Sequence, residues 1–368
     1  SFFINSCFKN SPKDEGLHLT QALSLDDVDN WMLHQIEKDF APFKNRCFTE
    51  QQVQNFAHSY KNATKKGFIL IRFTPNRKYH LEIHSDIPVH HGLVAPQYIN
   101  LMEKLSRLQV LPIKGALLIH MHDSDDDLNA KTELSSNDIP FFTFTKTKNS
   151  PSILIPDYDA VRGYEDKFLK NTELTSIPWK EKIEKVYWRG TNSGLPYEPE
   201  RWREKERVKL SFLSLQFPNL IDAGLVDYEW YKPYMEEYLP LKERANFLDQ
   251  VRYKYLIDID GHSSTFPHMA WILASNSVLM KLESPNIQWY YQLLEPMKNF
   301  IPIKKDFSDL FTQLEWAQSH DEEVKSIANQ GSYLAHLVFS STNIEKYMLL
   351  VMQKFSEHFG ESCYKRNP

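Results

Sequence analysis

The sequence is short of cysteine, has no long apolar run and carries no excess of positive charge, and each absence removes a class of protein. Its three cysteines, Cys7, Cys47 and Cys363, are scattered over 368 residues without C-x-x-C spacing. That pattern predicts neither a disulfide framework nor a structural zinc site, and it favours a reducing, cytoplasmic setting. No apolar stretch approaches the ~20 residues of a membrane span. The opening SFFINSCFKNSPKDEG lacks the basic and long apolar regions of a secretory leader. With a net charge of −5 and a pI near 6.3, the chain offers no basic surface for nucleic acid. A charged cluster such as RWREKERVK (201–209) reads as the solvated face of a helix. No internal repeat or low-complexity tract is visible.

What is present suits a folded protein of two domains. The chain is 42% hydrophobic and 13% aromatic, too apolar for disorder, and too long for one ordinary core. Ser24 and Asp27 open a helix through Trp31, Ile36 and Phe40 that Pro42 ends. Thr49 with Gln52 forms a capping-box pattern before Val53, Phe56 and Tyr60. Strands are expected at 67–73, 79–84, 116–121 and 141–146, with a helix over 98–108. Beyond IPDYDAVRGYEDKF the style changes. Strands at 185–190, 253–260, 277–282 and 299–303 alternate with helices at 199–216, 240–250, 265–275 and 286–294, and further helices follow Asp306 and Asp321. This alternation predicts βαβ units and a mostly parallel sheet. The boundary falls near residue 175, giving domains of 1–175 and 176–344, with 345–368 packing back on the first. A site is then expected in the cleft between them, by the carboxyl ends of the strands.

Three stretches could carry chemistry. In YLIDIDGHSSTFPHMAWILAS an apolar strand runs into Gly261, and a helix starts near Ser264 or Thr265 with Pro267 in its first turn. Backbone donors of Ser263, Ser264 and Thr265 at a helix start suit a phosphate, as much as they suit an ordinary capped helix. His262 and His268 read as structural or solvent-facing. A second strand ends in Arg189-Gly190, where a planar guanidinium fork fits a diphosphate and a glycine lets backbone approach a ligand. The third stretch, GALLIHMHDSDDDL (115–128), leaves three readings open. His120 and His122 share a strand face as hydrolase metal ligands would. Asp123, Asp125, Asp126 and Asp127 offer hard oxygens for a nucleotide-bound cation in a D-x-D arrangement. Asp123 alone, where an apolar strand enters the cleft, could act as a general base.

The order of segments carries a resemblance. IEKDFAPFK, LLIHMHD, PFFTFTKT, YWRGT, YKYLIDIDG, SNSVLMK and NFIPIKKDFSDL occur in the order found in glycosyltransferase family 90, from about residue 36 to 345. That family includes protein O-glucosyltransferases, capsule-associated proteins and lipopolysaccharide core glycosyltransferases. The resemblance implies an α/β protein of GT-B fold, two Rossmann-like domains facing across a cleft. It implies inverting, metal-independent transfer from a UDP-sugar to a hydroxyl of a glycan, lipopolysaccharide or protein. Glucose is the first choice of sugar, with xylose and galactose open, and no cofactor is needed beyond the donor. Asp123 takes the place of the catalytic aspartate. The donor contacts fall on Arg189 and Gly190, on Gly261, His262, Ser263, Ser264, Thr265 and Phe266, and on Ser152 and Ile153. Glu283, just past a strand, is a candidate for the ribose hydroxyls.

Departures from the family pattern point to the bacterial, lipopolysaccharide-type members. An arginine common in the donor loop is replaced by Thr265, Phe266 and Pro267, and a proline after the catalytic aspartate is Asp125. The cysteines of secretory-pathway members and a C-terminal retention tetrapeptide are missing. A lipid-linked acceptor would then bring the protein to a membrane surface. The rival readings are a metal-dependent D-x-D transferase on another fold and a non-catalytic carbohydrate-binding protein.

Overall fold

A computed structural model describes residues 25–61, 68–74, 79–84, 95–107, 115–121, 123, 139–359 and 363. Cys7, Ser24, His122 and Asp125 to Asp127 lie outside the described residues. The helix Leu25–Phe40 tightens into a 3-10 turn at Ala41–Phe43, where proline removes a donor. The helix Glu50–Lys61 carries the expected reciprocal cap. The Thr49 N–H donates to Gln52 Oε1 at 2.8 Å, and the Gln52 N–H donates to Thr49 Oγ1 at 3.2 Å.

The first half forms the strands β1 (Phe68–Phe73), β2 (Tyr79–His84), β3 (Gly115–His120), β4 (Phe142–Thr143), β5 (Lys146–Thr147) and β6 (Ile153–Leu154). Five of them make a mixed sheet in the order β2-β1-β3-β4-β6. β1 runs antiparallel to both β2 and β3, whereas β3, β4 and β6 are parallel. The second half supplies β7 (Ile183–Thr191), β8 (Ile221–Asp227), β9 (Tyr253–Asp258), β10 (Val278–Leu282), β11 (Asn286–Ile287) and β12 (Ile301–Ile303). Five of these form a wholly parallel sheet in the order β12-β10-β9-β7-β8. Counted along the chain this is the doubly wound order 2-1-3-4-5, with its switch point between β7 and β9. β5 leaves the first half to pair antiparallel with β11 of the second, so a short ladder ties the two together.

Several local expectations change. The strand expected at 141–146 splits between β4 and β5, which belong to different sheets. The helix expected at 199–216 breaks at Lys205 into a 3-10 segment and the helix Glu206–Gln216. The one expected at 240–250 shrinks to Phe247–Gln250. The helix expected at 286–294 is instead β11 and the 3-10 turn Tyr291–Leu293. β8 was not foreseen, because IDAGLVD looks like a loop until β7 lies beside it. At β4, β5, β8 and β11, pairing with a distant strand overrides a weak local preference.

One apolar cluster runs through elements of both halves. Trp31, from the first helix, lies 5.6 Å from Trp289, whose ring is 4.6 Å from Tyr347 on the helix Ser341–Ser356. That last helix packs against Leu25–Phe40. A second cluster fills the other face of the parallel sheet, under Trp188, Met280 and Leu310.

The cysteine reading is overturned. Cys47 and Cys363 form a disulfide between residues 316 apart in sequence, with Cα atoms separated by 5.8 Å. Spacing along the chain says nothing of such a pair. It forms because the last helix returns to the end of the first: His358 stacks on Phe40 at 5.5 Å, and its Nδ1 lies 2.8 Å from the Arg46 carbonyl. Among the described residues no helix is long and apolar enough to cross a membrane.

Candidate active site

In a doubly wound sheet, ligands bind outside the carboxyl ends of the strands at the switch point. Here that point lies between the loop after β7 and the loop after β9. The two loops are locked together. Gly194 (φ +101°) sits so close to Gly261 that a Cβ on it would lie 2.7 Å from the Gly261 carbonyl oxygen. A Cβ on Gly261 would in turn meet Ser193 Oγ at 2.7 Å and Arg207 at 2.9 Å. At Gly194 the positive φ and the backbone contact together demand glycine.

Arg207, at the start of the helix Glu206–Gln216, staples the same crossing. Its guanidinium donates to the carbonyls of Thr191 (3.2 Å), Ile259 (2.9 Å) and Asp260 (3.0 Å), and to Ser193 Oγ (2.7 Å). The Lys205 ammonium donates to the Gly194 carbonyl. Trp202, Lys205 and Val208 are buried. The cluster RWREKERVK is therefore not simply a solvated face. Two of its cations hold the loops that frame the site, and what sequence reasoning lacked was the loops they reach.

Behind the loops lies a buried charged group. Asp258, at the end of β9, is fully buried and accepts from Lys281 of β10 (3.0 Å), from His268 Nδ1 (2.9 Å) and from the Thr265 hydroxyl. Burial alone would raise Asp258 and lower Lys281. Attraction outweighs it in both: Lys281, with His268 and Thr265, holds Asp258 well below the ordinary carboxylate range, and Tyr291, Asp258 and Asp260 hold Lys281 above the usual lysine range. Asp260 accepts from Asn286 Nδ2 at 2.8 Å and from the Ser284 hydroxyl, which joins β11 to the same network. The signal for this group was a lysine inside the otherwise apolar strand VLMKL, whose residues are all buried.

The helix Phe266–Ala274 begins at Thr265, with Pro267 in its first turn as expected. No side chain caps that turn, because the Thr265 hydroxyl is turned to Asp258. Ser263 and Ser264 are buried beside it, and the Gly261 N–H donates to the Ser263 carbonyl at 2.9 Å. His262 stacks on Tyr197 at 5.8 Å, with its Nδ1 3.2 Å from the phenol oxygen. Phe266 is buried and packs edge-on against Phe144 and Tyr158, 6.0 Å from each. Those two aromatics belong to the first half of the chain.

Asp123 also lies near this aromatic group. It lies half-buried just beyond β3. Burial, and next the nearby Asp123 carboxylate, push the Tyr158 phenol above its ordinary range. Asp123 and Phe266 thus both lie near Tyr158, and Phe266 opens the helix. His120 is fully buried between the rings of Phe68 (5.3 Å) and Phe141 (6.3 Å), in an aromatic setting. Among the described residues no three His, Cys, Asp or Glu side chains are grouped to hold a metal.

Other expected site residues are placed differently. Arg189 points into the sheet: its fork donates to Asp222 Oδ1 (2.7 Å) and to the Asp222 carbonyl (2.9 Å), and its guanidinium carbon lies 4.4 Å from the centre of the Tyr187 ring. The Cβ space of Gly190 is taken by the Trp188 indole, 2.5 Å away, so packing accounts for this glycine. Ser152 and Ile153 are fully buried at the start of β6. The Ser152 carbonyl accepts from Lys146, and the Ile153 N–H donates to the Phe141 carbonyl at 2.9 Å. Lys146 itself is paired with buried Asp39 at 2.6 Å. Glu283 is exposed past β10, with its N–H on the Ile303 carbonyl.

Sequence comparison relates the chain to known proteins. The chain is 30% identical to human protein O-glucosyltransferase 3 over 226 residues, 60% of this chain and 42% of that protein. It is 29% identical to zebrafish protein O-glucosyltransferase 2 over 234 residues, 62% and 45% of the two chains. An uncharacterized protein, 035R, of invertebrate iridescent virus 3 is 27% identical over 210 residues, 53% of this chain and 18% of the viral one. The chain thus spans less than half the length of these relatives. The family model for glycosyl transferase family 90 matches residues 30–366, and the chain belongs to that family.

Proposed function

We propose that the protein is an inverting glycosyltransferase of GT-B arrangement that moves glucose from UDP-glucose to a hydroxyl of a protein. The observation that carries this reading is that Asp123 and Phe266, which opens the helix Phe266–Ala274, both lie near Tyr158. A carboxylate there is suited to take the acceptor proton. The uncapped helix turn, at the switch point of a doubly wound sheet, is suited to the departing diphosphate. Donors fixed in advance by Gly194, Gly261 and Arg207 need no rearrangement as charge develops. The reaction then needs no metal.

A protein acceptor is favoured over lipopolysaccharide by the names of the animal relatives. The Cys47–Cys363 bond points the same way. A structural disulfide persists in oxidising compartments, so the cytoplasmic expectation gives way to an oxidising one.

Asp123→Asn tests the assignment. It keeps the shape and removes the proton acceptor, so UDP release from UDP-glucose with an acceptor should fall by roughly 10²–10⁴-fold, with UDP affinity nearly unchanged and activity indifferent to EDTA. Normal turnover in Asp123→Asn, or activity lost to EDTA and restored by Mn²⁺, would refute it.

A further inference from the structure

We infer that the loop after β7 and the segment after β8 form one surface on which the acceptor polypeptide docks, and that this surface takes basic residues set around an aromatic or aliphatic side chain. This rests on the protein acceptor proposed above and names the chemistry by which that acceptor is recognised.

Leu195, Tyr197, Tyr234, Tyr238 and Leu241 are large apolar side chains between 46% and 67% exposed, and all lie in two stretches, 195–204 and 228–241. The stretches are fastened to each other. The Tyr231 hydroxyl donates to the Tyr197 carbonyl at 2.7 Å, and the Lys205 ammonium lies 4.7 Å from the Tyr231 ring. The Arg203 guanidinium lies over the rings of both Trp202 (4.3 Å) and Tyr238 (4.5 Å). Trp202, Tyr231 and Met235 are buried beneath, so the exposed tyrosines stand on a packed base. Exposed apolar area of this kind, rimmed by charge, marks an interaction site, and tyrosine loses little freedom on contact. Leu195, Pro196 and Tyr197 also wall a cavity of about 430 Å³, a seat for an apolar side chain of the partner.

The surface is continuous with the candidate active site. Tyr197 stacks on His262 of the donor loop at 5.8 Å, and Gly194, the residue before Leu195, packs against Gly261. Both stretches follow the carboxyl ends of β7 and β8, the edge of the sheet where ligands of this topology bind. A polypeptide docked here lies alongside the donor loop.

Charge specifies the rest of the partner. Residues 195–204 and 227–244 carry eight carboxylates against five basic side chains. Arg201 is paired with Glu204 (2.7 Å), Lys232 with Glu236 (3.7 Å) and Arg244 with Asp227 (3.4 Å). Arg203 is held over its aromatic rings, and Lys242 lies toward Asp222 of β8. Among the described residues Glu200, Glu237 and Glu243 are exposed and form no ion pair. The charge left over around the tyrosines is therefore negative, which attracts lysine and arginine on a partner. A second copy of the chain would bring the same negative patch against itself, so self-association here is opposed.

A displayed peptide library with one fixed serine, incubated with UDP-glucose and sequenced for its glucosylated members, tests this. The wild type should select lysine or arginine on either side of an aromatic or aliphatic residue. The selected peptide is then the probe. Leu195→Ser with Tyr234→Ser changes two exposed side chains, so the thermal midpoint and the calorimetric UDP affinity should match the wild type. KM for the selected peptide should rise about 10-fold, the scale of losing an interface contact. Glu200→Lys with Glu237→Lys should turn the selection away from basic peptides and remove the rise of KM with salt. A library left unmodified, a selection without basic or apolar preference, or an unchanged KM in both double variants would overturn the inference, while UDP binding would leave the donor site standing. A wild-type dimer in sedimentation that Leu195→Ser with Tyr234→Ser dissociates would overturn it too, because the patch would then be a self-contact. A wild-type protein that binds neither UDP nor UDP-glucose would overturn both readings.

Discussion

Removing the disulfide perturbs one covalent bond whose consequence can be worked from the chain path. Cys47 and Cys363 close a loop with a sequence separation of 316. The chain-entropy relation puts the stabilisation from such a loop at roughly 5–6 kcal/mol, and measured disulfides cluster at about 2–4 kcal/mol. The native contacts around the bond do not depend on it. The Phe48 N–H donates to the His358 carbonyl at 2.9 Å, and Phe359 packs on Phe48 and Phe355. Reduction should therefore leave the fold in place and act mainly through the unfolded chain, which gains freedom. The expected loss is about 2–5 kcal/mol. Urea unfolding followed by tryptophan fluorescence, with and without dithiothreitol, would read it as a lower midpoint. The denaturant slope should steepen, because an uncrosslinked chain exposes more surface. Cys47→Ser should match the reduced protein and be insensitive to dithiothreitol. Three titratable thiols in the denatured, unreduced protein, or superimposable urea curves, would refute the reasoning.

Two further outcomes follow from the buried charges. Burial, and next the neighbouring Asp159, raise Asp157 to about 7, although it caps the helix Tyr158–Tyr164 and accepts from the Asp159 and Ala160 N–H groups and the Tyr164 hydroxyl. A carboxyl raised in the folded state stabilises below its unfolded value and loses that contribution as pH rises toward 7. Asp157→Asn keeps the acceptor oxygen, so its stability between pH 4 and pH 7, measured by thermal melts, should be flatter than the wild type's; an equal slope in both would count against it. Arg189→Ala should cost about 1–3 kcal/mol of stability by leaving Asp222 Oδ1 without its cation, although Tyr253 still donates to Oδ2, with UDP affinity preserved. An unchanged melting point together with lost UDP binding would return Arg189 to the donor site.

The residues that were legible and those that were not differ in what fixes them. Thr49 and Gln52 meet as expected because a capping box is closed within one turn of helix. His268, read as structural or solvent-facing, meets Asp258 ten positions earlier on the preceding strand, a partner that nothing within a few residues announces. Arg189 was assigned to a phosphate on residue type. Its partner Asp222 sits on a strand that the sequence did not reveal.

Local order by itself determined the α/β alternation of the second half, the apolar strand closed by Asp123, and the helix start at Thr265. Those features depend on the period of apolar residues and on caps and prolines, all properties of near neighbours in the chain. Only the tertiary structure decided which charge meets which. β7 lies between β8 and β9, which turns Arg189 to Asp222 and sets Gly194 against Gly261. The return of the last helix brings Cys363 to Cys47. An ion pair or a disulfide requires a few ångströms of separation, and for residues far apart in sequence that distance is set by strand order and helix packing.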